Sequence, residues 1–147
     1  MTSRLPRQLT FEEYLRVEDR AAEKSEFIDG AIYAFPGGSV RHGVIAANVV
    51  RLLGNLLKDK PCRAVGSDLR VFAEKANLST YPDAAVYCGS IQTWRTRDDV
   101  ATNPSLIVEV LSKTTEAYDR GEKFGAYKLI PSPVSYTHLT LPTNREV

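Results

Sequence analysis

The chain has 147 residues, of which 25% are charged and 43% hydrophobic, and its net charge is +1. That length suits one domain with its own core, and the near-neutral balance excludes a surface given over to neutralising phosphates while leaving room for a local basic groove. The longest apolar runs fall far short of the roughly 18–20 residues that cross a bilayer, so no membrane association is expected. Arg4 and Arg7 are followed by no apolar signal core. Cys62 and Cys88 stand apart without metal-ligand spacing, as expected of reduced thiols in a cytoplasmic protein.

Thr10-Phe-Glu-Glu13 is a capping box, which predicts a helix from Phe11 that fades near Arg20–Glu23. Glu26-Phe-Ile28 and Ala31-Ile-Tyr-Ala-Phe35 flank Asp29-Gly30, a strong hairpin signal. Pro36-Gly-Gly38 breaks the chain, and Ser39 can cap a second helix over about 40–58. Ile45, Val49, Leu52, Leu53, Leu56 and Leu57 recur there at helical spacing, so this is expected to be the main core helix. Strands are expected at 62–65, 69–72, 83–88 and 106–111. The polar stretch 89–104, with Trp94, reads as a loop with a short helix. Thr115 can cap a last helix from Glu116 to about Leu129, which Pro131 and Pro133 end.

This order predicts an α/β (α+β) domain, with one central mixed sheet flanked by helices. The domain is expected to span 1–131. Residues 132–147 have little patterning. Tyr136–Leu141 alternates like a strand but Pro142 closes it, and the stretch reads as a foreign or disordered tail.

Ser105-Leu-Ile-Val-Glu-Val-Leu111 is a run of the kind that forms a strand buried on both faces, with one carboxylate in its middle. A buried carboxylate needs a cation or hydrogen-bond donors. Asp83 opens another strand after Tyr81-Pro82, and Glu26 precedes the first hairpin strand. Asp119, Lys123 and Tyr127 follow at i, i+4 and i+8, so they share a helix face. His42 lies one turn into the second helix, in line with Ile45, Val49, Leu52 and Leu56. Carboxylates on separate strands can hold magnesium, which prefers hard oxygen donors and keeps several waters. A lysine beside them can orient the attacking water and stabilise charge on a phosphorus centre. Each residue alone has a plainer reading. Pro-Asp is common in turns, Glu109 and Lys123 can be a structural ion pair, and His42 can be a packing residue.

Taken together, Glu26-Phe-Ile-Asp-Gly30, His42, Tyr81-Pro-Asp83, Pro104-Ser-Leu-Ile-Val-Glu-Val-Leu-Ser112 and Thr115…Asp119-Arg-Gly-Glu-Lys123…Tyr127 resemble the Uma-two family of restriction-endonuclease-like proteins, in the PD-(D/E)XK superfamily. The resemblance covers about residues 8–130. It implies a restriction-endonuclease-like fold, a magnesium (or manganese) site and hydrolysis of DNA phosphodiesters. By position it implies Asp83, Glu109 and Glu26 as metal ligands and Asp83, Glu109 and Lys123 as the catalytic set, with His42, Asp119 and Tyr127 in support. The superfamily's commoner pattern has lysine two residues after the acid. Here that position is Leu111, and Lys123 on the helix takes the part, with Lys113 a less convincing candidate. The tail departs from the family, which implies a C-terminally truncated domain. A homodimer would suit cleavage of both strands of a duplex. The alternative function is a non-catalytic nucleic-acid-binding or interaction domain on the same scaffold.

Overall fold

The computed structural model describes residues 7–35, 37–112, 118–131 and 135–140, with the backbone alone for Asp119, Arg120 and Thr140. Thr115, Glu116 and Lys113, the expected cap and start of the last helix and the second lysine candidate, lie outside the described residues.

Helix α1 (Phe11–Glu18) begins where the capping box sets it: Thr10 accepts from the Glu13 amide, and the Glu13 side chain accepts from the Thr10 amide. Strands β1 (Ser25–Ile28) and β2 (Ala31–Ala34) form the expected hairpin. Its turn needs two consecutive positive φ angles, 45° at Asp29 and 89° at Gly30, which this residue pair tolerates. Along the hairpin the side chains alternate. Phe27 and Ile32 go to the α1 layer, and Glu26 and its register partner Tyr33 go to the other face.

Helix α2 (Val40–Leu56) is capped by Ser39, which accepts from the His42 amide. It leads to β3 (Cys62–Val65), β4 (Arg70–Ala73), a short 3-10 turn, β5 (Leu78–Thr80), β6 (Ala84–Cys88), β7 (Val100–Ala101) and β8 (Leu106–Leu111). The last helix, α3, is π-helical over Asp119–Lys123 and α-helical over Phe124–Tyr127. Strand β9 (Ser135–Thr140) follows.

The mixed α+β class stands as expected. Hydrogen bonding divides the strands into two sheets where the sequence reading drew one: β2-β1-β5-β4-β7 and β3-β6-β8-β9. Each sheet has one parallel pair, β4–β7 in the first and β8–β9 in the second. The link Tyr81-Pro82-Asp83 carries the chain from β5 in one sheet to β6 in the other, so Asp83 sits at the crossing. Two apolar clusters flank the sheets. In one, Phe11, Tyr14 and Leu15 of α1 meet Phe27, Phe72, Trp94 and Val100. In the other, Ala126, Tyr127 and Ile130 cover Val71, Ala85, Tyr87 and Ile107.

Four expectations give way. The second helix is not the core helix, because none of its residues is buried, and Leu52 and Leu56 are 51% and 71% exposed. Periodicity tells which residues share a face and says nothing of whether another layer covers it. The stretch 89–104 holds β7 and a bridge from Thr93 to Ala101 in place of a helix, and Trp94 is buried against Phe11 and Phe72. Cys62 and Cys88, read as free thiols, are register partners on β3 and β6 and form a disulfide, their Cα atoms 3.9 Å apart. Finally, Ser135–Thr140, assigned to the tail, pairs along all of β8, and Tyr136 stacks on Phe124 and tilts against Tyr127.

Candidate active site

Where the two sheets meet, a cleft of about 970 Å³ opens between the β1–β2 hairpin, α2 and α3. Four carboxylates among the described residues line it, those of Glu26, Asp83, Glu109 and Glu122, with the Lys123 ammonium and the His42 imidazole. Glu109, Lys123 and Glu26 are 2%, 5% and 6% exposed, so they lie at its floor.

The floor is one connected set of polar contacts. Lys123 Nζ donates to Glu109 Oε1 at 3.4 Å and lies 3.2 Å from Glu26 Oε1. Tyr127 donates its hydroxyl to Glu109 Oε1 at 3.2 Å and sits 2.5 Å from Thr80 Oγ1. Since the tyrosine proton goes to the carboxylate, the threonine hydroxyl is the donor in the second bond. Burial, and then the charge of Glu109, push the Tyr127 phenol well above its ordinary pKa, so it stays a donor at any working pH. Beside the lysine, the Tyr118 phenol is raised by burial and by the charge of Glu26, and Lys123 Nζ lies 5.2 Å from its ring centre. One ammonium thus answers two buried acids brought from different sheets.

Asp83 and His42 form a second group. Asp83 Oδ2 accepts from the Val110 amide at 2.7 Å. His42 Nε2 is 3.0 Å from the Val110 carbonyl and 3.3 Å from Asp83 Oδ2. Both neighbours are acceptors, so Nε2 carries the proton. Gly38 makes room for this ring. A Cβ there would lie 2.7 Å from His42 Nδ1.

The wall is held from outside the cleft. Glu18, buried at the end of α1, accepts from the Tyr81 hydroxyl at 2.7 Å, the Ser25 amide at 2.9 Å and the Ser25 hydroxyl. It thereby fixes both Tyr81 and the start of the strand that carries Glu26. The Arg70 guanidinium lies over the rings of Tyr14 and Tyr81, 5.5 and 5.3 Å from their centres. The Tyr14 phenol is pushed up to about 12 by burial.

The structure therefore brings together Glu26, Asp83, Glu109, Lys123, Tyr127 and His42 from the sequence reading. The Asp119 side chain lies outside the described ones. Sequence reasoning missed Tyr118, Glu122 and Tyr81 as cleft residues. The first two flank Asp119 and Lys123 on one helix, and one turn of helical spacing was the available signal. Leu111, at the commoner lysine position, is buried and apolar, and α3 supplies the ammonium from across the sheet.

A family model for Uma2, described as "Putative restriction endonuclease", matches residues 11–136. The chain belongs to the Uma2 family. Two proteins of similar sequence come from Synechocystis sp. (strain ATCC 27184 / PCC 6803 / Kazusa). The uncharacterized protein slr1290 is 42% identical over 129 residues, which are 88% of this chain and 67% of that protein. The uncharacterized protein sll1609 is 38% identical over 128 residues, 87% of this chain and 72% of the other. A crystal structure described as a "putative nuclease belonging to DUF820" from Anabaena variabilis ATCC 29413 superposes with a TM-score of 0.69 at 20% identity, covering 90% of this chain and 74% of that one. At that identity the likeness concerns the fold. The nuclease reading comes from the family's description. Among the described residues no helix is long and apolar enough to cross a membrane.

Proposed function

We propose that this Uma2 protein is a divalent-metal-dependent endonuclease that hydrolyses phosphodiester bonds in DNA, with Glu26, Asp83 and Glu109 as the acids and Lys123 as the catalytic cation. One observation carries the reading: three carboxylates from separate segments of the chain reach one cleft, and two of them share a single buried ammonium. Buried like charges repel one another unless more positive charge arrives.

The donor set suits magnesium or manganese, being made of hard oxygens: the carboxylates and the Val110 carbonyl. Among the described residues no three His, Cys, Asp or Glu side chains form a complete ligand group by themselves. The ion is therefore taken as held through one or two carboxylates, with water and substrate phosphate as the other ligands. When bound, the metal lowers the pKa of water and offsets charge on the phosphoryl oxygens. The protein's own groups do the rest. Tyr127 and Lys123 hold Glu109 in one orientation. Asp83 is held by the Val110 amide and His42. Lys123, at the floor, faces the space where a phosphate would lie and stabilises negative charge that grows there.

The test is cleavage of DNA by the purified chain with and without magnesium, beside Glu109→Gln and Lys123→Ala. Each variant is expected to lose at least about a hundredfold in rate, the scale of removing one electrostatic stabiliser. Magnesium is also expected to raise the melting temperature of the wild type. Cutting that persists in chelator or survives both substitutions refutes the assignment. The buried Leu111 at the commoner lysine position and the near-neutral charge also suit a non-catalytic nucleic-acid-binding domain. Chelator-insensitive binding without turnover would favour that reading.

A further inference from the structure

The upper part of the cleft is used by none of the groups above. Tyr33 stands on the hairpin face beside its register partner Glu26 and is 52% exposed. Phe35 meets the edge of Tyr81 at 5.9 Å, and both line the same space. Opposite, α2 presents Gly43, Ala46, Ala47 and Val50, at spacings that place them on one side of the helix. Aromatic rings thus face a helix side kept mostly small, and the acids and Lys123 lie beneath.

We infer that this slot takes one unpaired nucleotide, its base stacked on Tyr33 between the hairpin and α2, so that the substrate is single-stranded or locally unpaired nucleic acid. The inference rests on the nuclease reading and narrows its substrate. Three observations support it. The reactive floor is almost wholly buried, so a phosphate reaches it only if the strand enters the cleft, and extruding a nucleotide costs least where it is already unpaired. The whole cleft, floor included, measures about 970 Å³, at the upper end of the range for small-molecule sites, which leaves room for a nucleotide and not for a duplex. The net charge of +1 suits few phosphate contacts, and aromatic stacking then supplies the affinity, since every base has a π-face. A single-strand substrate also removes the need for a second copy to cut an opposite strand.

The experiment uses the full chain with calcium in place of magnesium. Fluorescence anisotropy follows a labelled oligothymidylate and a duplex of equal length, and a second single strand carries 2-aminopurine to report stacking. The single strand is expected to bind at least about tenfold tighter than the duplex, and Tyr33→Ala to lose about tenfold, the scale of one base–aromatic stack. Tyr33→Phe should keep both the affinity and the quenching of 2-aminopurine. Ala47→Leu, which fills the slot from the helix side, should lose both. Tyr33 is half exposed, so an unchanged melting temperature is expected for its variants. Duplex bound as well as single strand, no binding of either, or full binding by Tyr33→Ala overturns the inference. Magnesium-dependent cutting separates it from the reading beneath. Duplex cut equally well, and lost in Glu109→Gln, leaves the nuclease and removes the slot. Tyr33-dependent binding with no cutting leaves the slot and removes the nuclease.

Discussion

Around α1 the rings of Phe11, Tyr14, Phe27, Phe72 and Trp94 close on one another, with Phe11 and Phe72 stacked 3.7 Å apart between centres. Along α2 no residue is buried, and the charged groups of the cleft lie on its flank. The first region spends its side chains on exclusion of water. The second leaves one face of a helix half covered and places carboxylates at depth, an arrangement that costs stability unless charge compensates it. The difference shows where this fold is built to persist and where it is built to receive something.

Substitutions can break that contrast, and the largest effect is expected in the aromatic cluster. Phe11→Ala should lower stability by about 3–5 kcal/mol through lost burial and a residual cavity, measured by urea denaturation, and magnesium should leave that difference from the wild type unchanged. A loss below about 1 kcal/mol would mean the cluster is not the fold's anchor. Next comes the cleft floor. Lys123→Met leaves Glu26 and Glu109 facing each other without their ammonium and should cost about 3 kcal/mol. In contrast with Phe11→Ala, magnesium should restore much of it, because the ion replaces the missing charge. If the variant melts like the wild type in chelator, the pair does not hold the floor together.

A smaller effect, dependent on pH, is expected where α1 meets the loop before β7. Arg97 bonds Asp19 through both terminal nitrogens at 2.8 and 2.7 Å, and reaches Asp99 at 2.8 and 2.7 Å. These hydrogen bonds hold both carboxyls below their ordinary value of 3.8, against the opposing effect of desolvation. A carboxyl lowered on folding stabilises the protein above its unfolded pKa, and that contribution fades as pH falls through the lowered value. Arg97→Ala should therefore cost about 1 kcal/mol at neutral pH, after allowance for partial exposure, and converge with the wild type in acid. Parallel stability curves across that range would remove the ion pairs from the account. The smallest effect is expected on the outer side of α2, where Leu56→Ser should change stability by no more than about 0.5 kcal/mol. A larger loss in the isolated chain would show that α2 is covered in solution.

Much of the site was legible because its signals are individually unusual. Glu109 interrupts an apolar strand, and Lys123 and Tyr127 follow one another at a helical turn. That they meet on one oxygen of Glu109 depends on α3 lying over β8, which spacing alone does not contain. Tyr33 and Trp94 were illegible for a related reason. An aromatic residue in a hairpin reads the same whether its ring faces a cleft or a core, and Trp94 lies in a polar stretch whose one strand, β7, has two residues. The short strand β5 escaped notice in the same way, with three residues.

By itself the sequence determined what is settled within a turn or two of chain: the Thr10 and Ser39 caps, the Asp29-Gly30 hairpin, and the identity of the strand that follows Asp83 and the strand that carries Glu109. The caps and the hairpin have donors and acceptors a few residues apart, so they require no distant partner, and the strands declare themselves by apolar patterning alone. Only the tertiary structure decided that α2 stays half uncovered, that Cys62 faces Cys88 across 26 residues, that β9 extends the second sheet, and that acids from two sheets share one lysine. Burial, cross-strand pairing and charge compensation all depend on what lies opposite, and that is a property of the packed chain.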